Sequence, residues 1–408
     1  MLKKISLTNL NKYTYFFLST SFIITFFRFL SMPFLTIFLS YTTYFSTAQI
    51  GLIIGIPGLI QLILGVIASN IIDYFSDKFS IILSILLPAC GMLGYIFFDS
   101  YVLMLFSSVV CGIGWSIYNP LLMSCLMRYS NGNSDIIIEI NYWIINLSGA
   151  IGPLVGALLS DGKSEFPFFL FSGALFFLAI STLILFPYKR KKKLLEEKQD
   201  SPQLSAVIEN LKNDILILCK SKASLFLFFS FFSINFIEAQ YNTNFALHLT
   251  EVTKDGPNAL ASMMIAMTAT ILILQPISIK ISKFVKLNVQ LIIGSIFYTV
   301  GILIFGFSFS VSIFILSAIL LAIGELIIAP KIQVLTGKSA PEELQTTAFA
   351  FTTMGGNLAF FLGPTLGGLL YEESFRSIFI PFIVIIGIST GITAMVANIY
   401  YKKHNTSA

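Results

Sequence analysis

Twelve runs of predominantly apolar residues dominate this chain of 408 residues, at about 14–40, 48–72, 79–98, 101–127, 136–160, 166–187, 224–249, 258–281, 287–308, 311–332, 345–370 and 377–400. A helix needs about 20 residues to cross some 30 Å of hydrocarbon, so each run has the length of a transmembrane span. The runs are continuously apolar, which excludes the alternating pattern of a membrane β-barrel. With 56% hydrophobic and 11% charged residues, polar side chains are too few to cover a water-soluble globule of this length. The first run is too long for a signal peptide and is expected to remain as span one.

The second half repeats the first. Asn146-Leu-Ser-Gly-Ala-Ile-Gly-Pro-Leu-Val-Gly-Ala-Leu-Leu159 returns as Asn357-Leu-Ala-Phe-Phe-Leu-Gly-Pro-Thr-Leu-Gly-Gly-Leu-Leu370, a displacement of 211 residues. Gly112-Ile-Gly114 followed by Pro120 returns as Ala322-Ile-Gly324 followed by Pro330, a displacement of 210. Six spans repeated once predict an all-α integral membrane fold. Its parts are an N-terminal bundle at 1–187, a linker at 188–223 and a C-terminal bundle at 224–408, related by a pseudo-two-fold axis.

The linker begins Lys189-Arg-Lys-Lys-Lys193 and continues with Leu204, Val207, Ile208, Leu211, Ile215 and Leu218 at helical spacing, which predicts an amphipathic helix on the membrane face. If the N-terminus is cytoplasmic, 21 of the 25 Lys and Arg residues fall on the inner side; Lys163, Lys254 and Arg376 fall outside and Arg28 lies within a span. This asymmetry predicts a multi-pass protein of the plasma (cytoplasmic or inner) membrane with both termini inside. The net charge of +5 therefore belongs to the inner leaflet and gives no reason to expect nucleic-acid binding.

Three ionisable residues lie deep within spans: Arg28 in span one, Glu238 in span seven and Glu325 in span ten. Each costs about 2.5–3.5 kcal/mol at a bilayer centre on insertion scales, so each is expected to face a partner or a cavity. Arg28 and Glu238 are 210 residues apart, the displacement of the repeat, and so are predicted to face each other at equal depth. They are candidates for an ion pair across a central cavity or for separate contacts to a charged substrate, with Glu238 or Glu325 binding a coupling proton. Tyr118, Asn119, Asn141, Gln240 and Tyr241 are further candidates for the cavity wall. Asn within spans also serves as interhelical glue.

Small residues at every fourth position in spans five and eleven, with Pro153 and Pro364 able to bend the helices, predict close helix packing and gating there. This arrangement, together with twelve spans in two parallel repeats and a long basic central loop, resembles the major facilitator superfamily over essentially the whole chain. In that family's exporters span five carries a signature close to G-x-x-x-G-P-x-x-G-G, matched here by Ser148, Gly152, Pro153, Gly156 and Ala157. Span eleven repeats it with Ala359, Gly363, Pro364, Gly367 and Gly368. The family's loop between spans two and three, close to G-x-x-x-D-R-x-G-R-K, is reduced here to Asp73 and Lys78, with Ser69, Tyr74, Ser76 and Asp77 at other positions. Where the family's proton-coupled drug exporters carry an Arg in span four, this chain has Ser108. Arg28 with Met32-Pro33-Phe34-Leu35, and Gln275-Pro276 in span eight, resemble the twelve-span drug:H+ antiporter branch. Gly324-Glu325 with Pro330 resembles both that branch and the oligopeptide carriers, but span one lacks the acids of the peptide carriers.

The resemblance implies alternating access and export of small organic molecules, drugs or a secreted metabolite such as a siderophore, by proton antiport through one chain. Proton-coupled uptake of a sugar, amino acid or peptide, and a non-transporting receptor or scaffold, are the alternatives. No cofactor is expected. Cys90, Cys111, Cys125 and Cys219 are scattered, and His248 and His404 form no metal cluster. Gly162-Lys163-Ser164 and Gly337-Lys338-Ser339 lack the preceding Gly of a phosphate loop. No Ser/His/Asp arrangement suggests an enzyme.

Overall fold

The computed structural model describes residues 12–71, 77–130, 134–185, 215–282, 284–339 and 345–405. The N-terminal bundle is α1 (Lys12–Thr42), α2 (Thr47–Ile71), α3 (Asp77–Phe97), α4 (Tyr101–Arg128), α5 (Ser134–Leu159) and α6 (Phe166–Leu185). The C-terminal bundle is α7 (Lys222–Tyr241), α8 (Asn244–Val252), α9 (Gly256–Ile281), α10 (Leu287–Phe307), α11 (Val311–Ser339), α12 (Gln345–Glu373) and α13 (Ile380–Asn405), the last entered through a π-helical turn at Phe375–Phe379. Span seven is thus divided into α7 and α8, and spans eight to twelve are α9 to α13. All-helical structure follows from the solvent, because hydrocarbon offers no partner to a free N–H or C=O.

The break in span seven has a local cause. Thr243 Oγ1 donates to the Ala239 carbonyl at 2.7 Å, the acceptor its N–H would use in a continuous helix, while that N–H donates to the Gln240 carbonyl at 3.2 Å and Asn244 Nδ2 to Gln240 Oε1 at 2.6 Å. Counted by the 210-residue displacement, Asn242 and Thr243 correspond to Met32 and Pro33 of α1. The same place in the repeat is weakened by proline in one half and interrupted in the other. Thr36, just beyond Pro33, donates its hydroxyl to the Asn242 carbonyl at 2.6 Å, tying the two weak points together across the bundle interface.

Helix pairing shows the duplication directly. In the N-terminal bundle α1 packs on α5 and α6, α2 on α4, and α3 on α4 and α6. The C-terminal bundle repeats each pairing: α7 with α12 and α13, α9 with α11, and α10 with α11 and α13. The motif glycines follow. Gly152 and Gly156 of α5 lie against the backbone of Phe26 and Leu30 in α1, while Gly363 and Gly367 of α12 lie against Ala239, Gln240 and Asn244 of span seven.

The bundles meet through α2 with α12 and α5 with α9, a pair of contacts that are themselves related by the repeat. The α2–α12 seam lies in the halves of these helices far from the end that carries the chain termini. There Gly51, Gly55 and Gly58 approach the carbonyls of Pro364, Phe361 and Asn357, and Gly368 approaches Thr47. Glu372 accepts a hydrogen bond from the Ala48 N–H at 2.7 Å, capping α2 from the opposite bundle. The apolar core of the C-terminal bundle extends over Phe34, Ile37 and Ala157, so the far end of the interface is packed as an interior.

Among the described residues ten helices are long and apolar enough to cross a membrane, and Trp143–Leu159 of α5 is a shorter apolar helix. The amphipathic helix read in the linker lies mostly outside the described residues. Its end, 215–220, is helical, and Leu218 is buried against Ala348 and Phe351. Gly162 turns the far loop with φ of 86°, and the Asp161 carboxylate accepts from the N–H groups of Lys163 at 2.9 Å and Ser164 at 2.7 Å, which holds it below the usual carboxylate range. Gly337-Lys338-Ser339 ends α11.

A side chain on the seam should be costly where one elsewhere is not. A Cβ on Gly55 would sit 2.6 Å from the Phe361 carbonyl oxygen, whereas Gly173 has no neighbour within 4 Å. Gly55→Leu is expected to cost about 1–3 kcal/mol of overpacking, lowering the thermal unfolding midpoint in detergent, and Gly173→Leu to leave it unchanged.

Candidate functional site

The three intramembrane charges converge. Arg28 of α1 is within electrostatic range of Glu238 of α7 and of Tyr118 of α4. Glu238 in turn interacts with Glu325 of α11, so both acids belong to the C-terminal bundle and the cation to the N-terminal one. Arg28 is exposed to open space at mid-helix, and Glu238 and Glu325 are half-buried. Among the described residues no ion pair within 4 Å joins Arg28 to either acid. The guanidinium instead lies over the Trp115 ring, 5.5 Å from its centroid.

The repeat explains this geometry. Trp115 and Glu325 are 210 residues apart, as Arg28 and Glu238 are. The first and fourth spans of each half therefore place the same two positions side by side: a guanidinium over an indole in one bundle, two carboxylates in the other. Trp115 is held by stacking on Phe171 at 6.2 Å and an edge contact with Tyr118 at 5.7 Å. Tyr241 and Tyr298 interact electrostatically with Glu325 and Glu238 and close the acidic side.

The sequence candidates separate into two groups. The Tyr118 and Tyr241 hydroxyls are buried beside the charged trio and have no hydrogen-bond partner among the described residues. The other candidates each have a hydrogen-bond partner. Gln240 is fully buried and donates to the Phe236 and Gly363 carbonyls at 3.0 and 3.1 Å while accepting from Asn244, which joins α7 to the Gly-Pro of α12. Asn141, also buried, accepts from Ser21 Oγ at 2.5 Å and joins α5 to α1. Asn119 is exposed and donates to Gln61 Oε1 at 3.2 Å.

Of the loop between spans two and three, Lys78 donates to the Leu183 carbonyl at 2.6 Å, whereas Asp73 lies outside the described residues. Ser108, at the position of the exporters' Arg, is buried between α3 and α4, accepting from the Tyr95 hydroxyl at 2.8 Å. Among the described residues no group of three His, Cys, Asp or Glu is arranged to hold a metal.

Trp115 and Tyr298 were not legible as candidates because aromatic residues are abundant throughout the chain. The 210-residue displacement applied to Glu325 would have found Trp115.

Two six-helix bundles around a buried charged centre define a membrane transporter. The family model of the Major Facilitator Superfamily matches residues 17–294 and 241–407, and the chain belongs to that family. It is 24% identical over 340 residues to the uncharacterized MFS-type transporter YhjO of Bacillus subtilis (strain 168), covering 83% of this chain and 81% of that one. It is also 24% identical over 371 residues to the uncharacterized MFS-type transporter YdeE of Escherichia coli (strain K12), covering 89% of each. Among solved structures, the nucleoside transporter NupG superposes with a TM-score of 0.76 at 15% identity, over 96% of this chain and 100% of that one. A POT family transporter in complex with 5-aminolevulinic acid gives 0.72 at 15% identity, over 95% and 96%. These last two likenesses concern the fold.

The two groups of candidates should respond differently to mutation. Gln240→Leu strands the Asn244 amide and the Gly363 carbonyl, at about 1–3 kcal/mol for each buried group left unpaired, and is expected to lower the unfolding midpoint. Tyr118→Phe and Tyr241→Phe remove hydroxyls without partners among the described residues, so the midpoint should not fall.

Proposed function

We propose that this transporter exports small organic molecules in exchange for protons, by alternating access of one central site in a single chain. The observation that carries the reading is the ratio of charges at that site: Glu238 and Glu325 on one bundle, Arg28 on the other. With both acids ionised, the site holds one negative charge in excess, in a medium of low dielectric where an unmatched charge is expensive. A proton on either acid, or a cationic group of the substrate, supplies the match. The two are alternatives for the same charge, so each displaces the other, and that competition is antiport.

The outward direction rests on the exporter signature in α5, and the positive-inside distribution supports cytoplasmic termini. The α2–α12 seam then closes the external end, and the site would face inward in this arrangement. Since Ser108 replaces the exporters' Arg and is engaged in packing, coupling falls to the glutamates. Drugs and secreted metabolites bearing a positive charge fit the competition. Uptake by symport requires substrate and proton to be bound together, which this charge ratio does not favour.

The test uses protein in liposomes with an imposed pH gradient and ethidium as a fluorescent cationic probe. Wild-type protein is expected to move ethidium against the direction of proton flow. Glu238→Gln and Glu325→Gln should each reduce gradient-driven flux about tenfold or more, the loss that corresponds to about 1.4 kcal/mol of charge matching. Undiminished coupling in the double variant, or movement of probe and protons in the same direction, overturns the reading.

A further inference from the structure

The lipid-facing perimeter of the C-terminal bundle carries a groove between α10 and α13. It has a volume of about 300 Å³ and is lined by Ile292, Ile296, Val300, Ile388, Ile392 and Met395, with Gly391, Ser295 and Thr299 forming a floor of small residues. Gly391 gives the groove its depth, because α13 there rests directly on Ser295 and the Leu291 carbonyl. Ile292, Ile296, Ile388 and Ile392 are exposed, as expected of walls open to hydrocarbon.

Along the membrane normal the surroundings are layered. Toward the end that carries the chain termini, Asn398 donates to Asn288 Oδ1 at 2.8 Å, a polar bridge between the two helices. Beyond it stand Lys286, which precedes α10, and Lys402 and Lys403 in the last turns of α13, all exposed. Ile292 to Val300 lie about 9 to 21 Å from Lys286 at 1.5 Å per helical residue, and Met395 to Ile388 about 11 to 21 Å from Lys402. Cation, amide and apolar groove thus succeed one another in the order phosphate, glycerol ester and acyl chain, and at matching depth.

We infer that this groove is a binding site for one anionic phospholipid of the surrounding bilayer, with an acyl chain between α10 and α13 and the phosphate toward Lys286. The charge of the rim selects an anionic lipid over a neutral one. The apolar walls distinguish a seated lipid from diffuse attraction of the basic end to an anionic surface.

The experiment measures thermal unfolding of the delipidated, detergent-solubilised full chain on addition of phosphatidylglycerol or phosphatidylcholine. Phosphatidylglycerol is expected to raise the midpoint more than phosphatidylcholine. That difference should be lost both in Lys286→Gln, which removes the rim charge, and in Ile296→Trp, which fills the groove from an exposed position. Equal stabilisation by the two lipids overturns the inference. So does loss of the difference in the lysine variant alone, which would mean surface attraction without a seated chain. A change from two chains to one per particle in Ile296→Trp, measured by light scattering, would assign the groove to self-association and overturn it as well. None of these outcomes depends on the substrate or the coupling ion.

Discussion

A charge in hydrocarbon must find its match within the protein, and here the matches lie on opposite halves of the chain. Arg28 belongs to the N-terminal bundle, and Glu238 and Glu325 to the C-terminal one. Neither bundle alone can compensate its own charge, so the bundles are obliged to face each other across the centre. The same division makes that face suitable for transport. A fully paired buried ion pair would lock the halves together, whereas here the guanidinium rests on Trp115, beyond ion-pair reach of the acids.

Duplication supplies the scaffold, and departures from it supply the chemistry. The principal helix pairings of one bundle recur in the other, and the glycines of α5 and α12 serve the same close approach to spans one and seven. At the two central positions the copies have diverged from Arg28 and Trp115 to Glu238 and Glu325. Backbone geometry common to both halves therefore puts a cation on an aromatic face on one side and doubles the acid on the other. The shared weak point has diverged too: α1 runs on through Pro33, while span seven is divided at Asn242 and Thr243. Thr36 joins these two points, so the least regular backbone in each half meets the other at the interface.

Spans, repeat and charged centre were legible because each leaves a mark in one dimension: length of an apolar run, a fixed displacement, an ionisable residue where none is expected. The direction in which a polar side chain points within a span leaves no such mark. Gln240 and Tyr241 are neighbours in sequence, yet Gln240 turns to the Gly363 carbonyl while Tyr241 turns to the acids. Asn141 reads as a cavity residue and is an interhelical bond to Ser21. The division of span seven was hidden as well, since Asn and Thr also occur in unbroken spans, where Thr182 and Asn235 bond the carbonyl of the previous turn just as Thr243 does. The π-helical turn before α13 has no marker residue at all.

The seam between α2 and α12 shows why such an interface can both close and reopen. Lipid tails are as apolar as the helices, so no hydrophobic gain drives the helices together, and what remains is van der Waals contact with a few hydrogen bonds. Contact of that kind is strong only at short range. Gly51, Gly55, Gly58 and Gly368 bring backbone against backbone, so a small separation of the helices forfeits most of the attraction at once. The Ala48 N–H to Glu372 bond at 2.7 Å would be lost with such a separation, and it is exposed near the ends of both helices, where water can replace it. The seam therefore has the character of a two-state contact, closed or open with little in between. That is the mechanical property that a site serving one side of a membrane at a time requires.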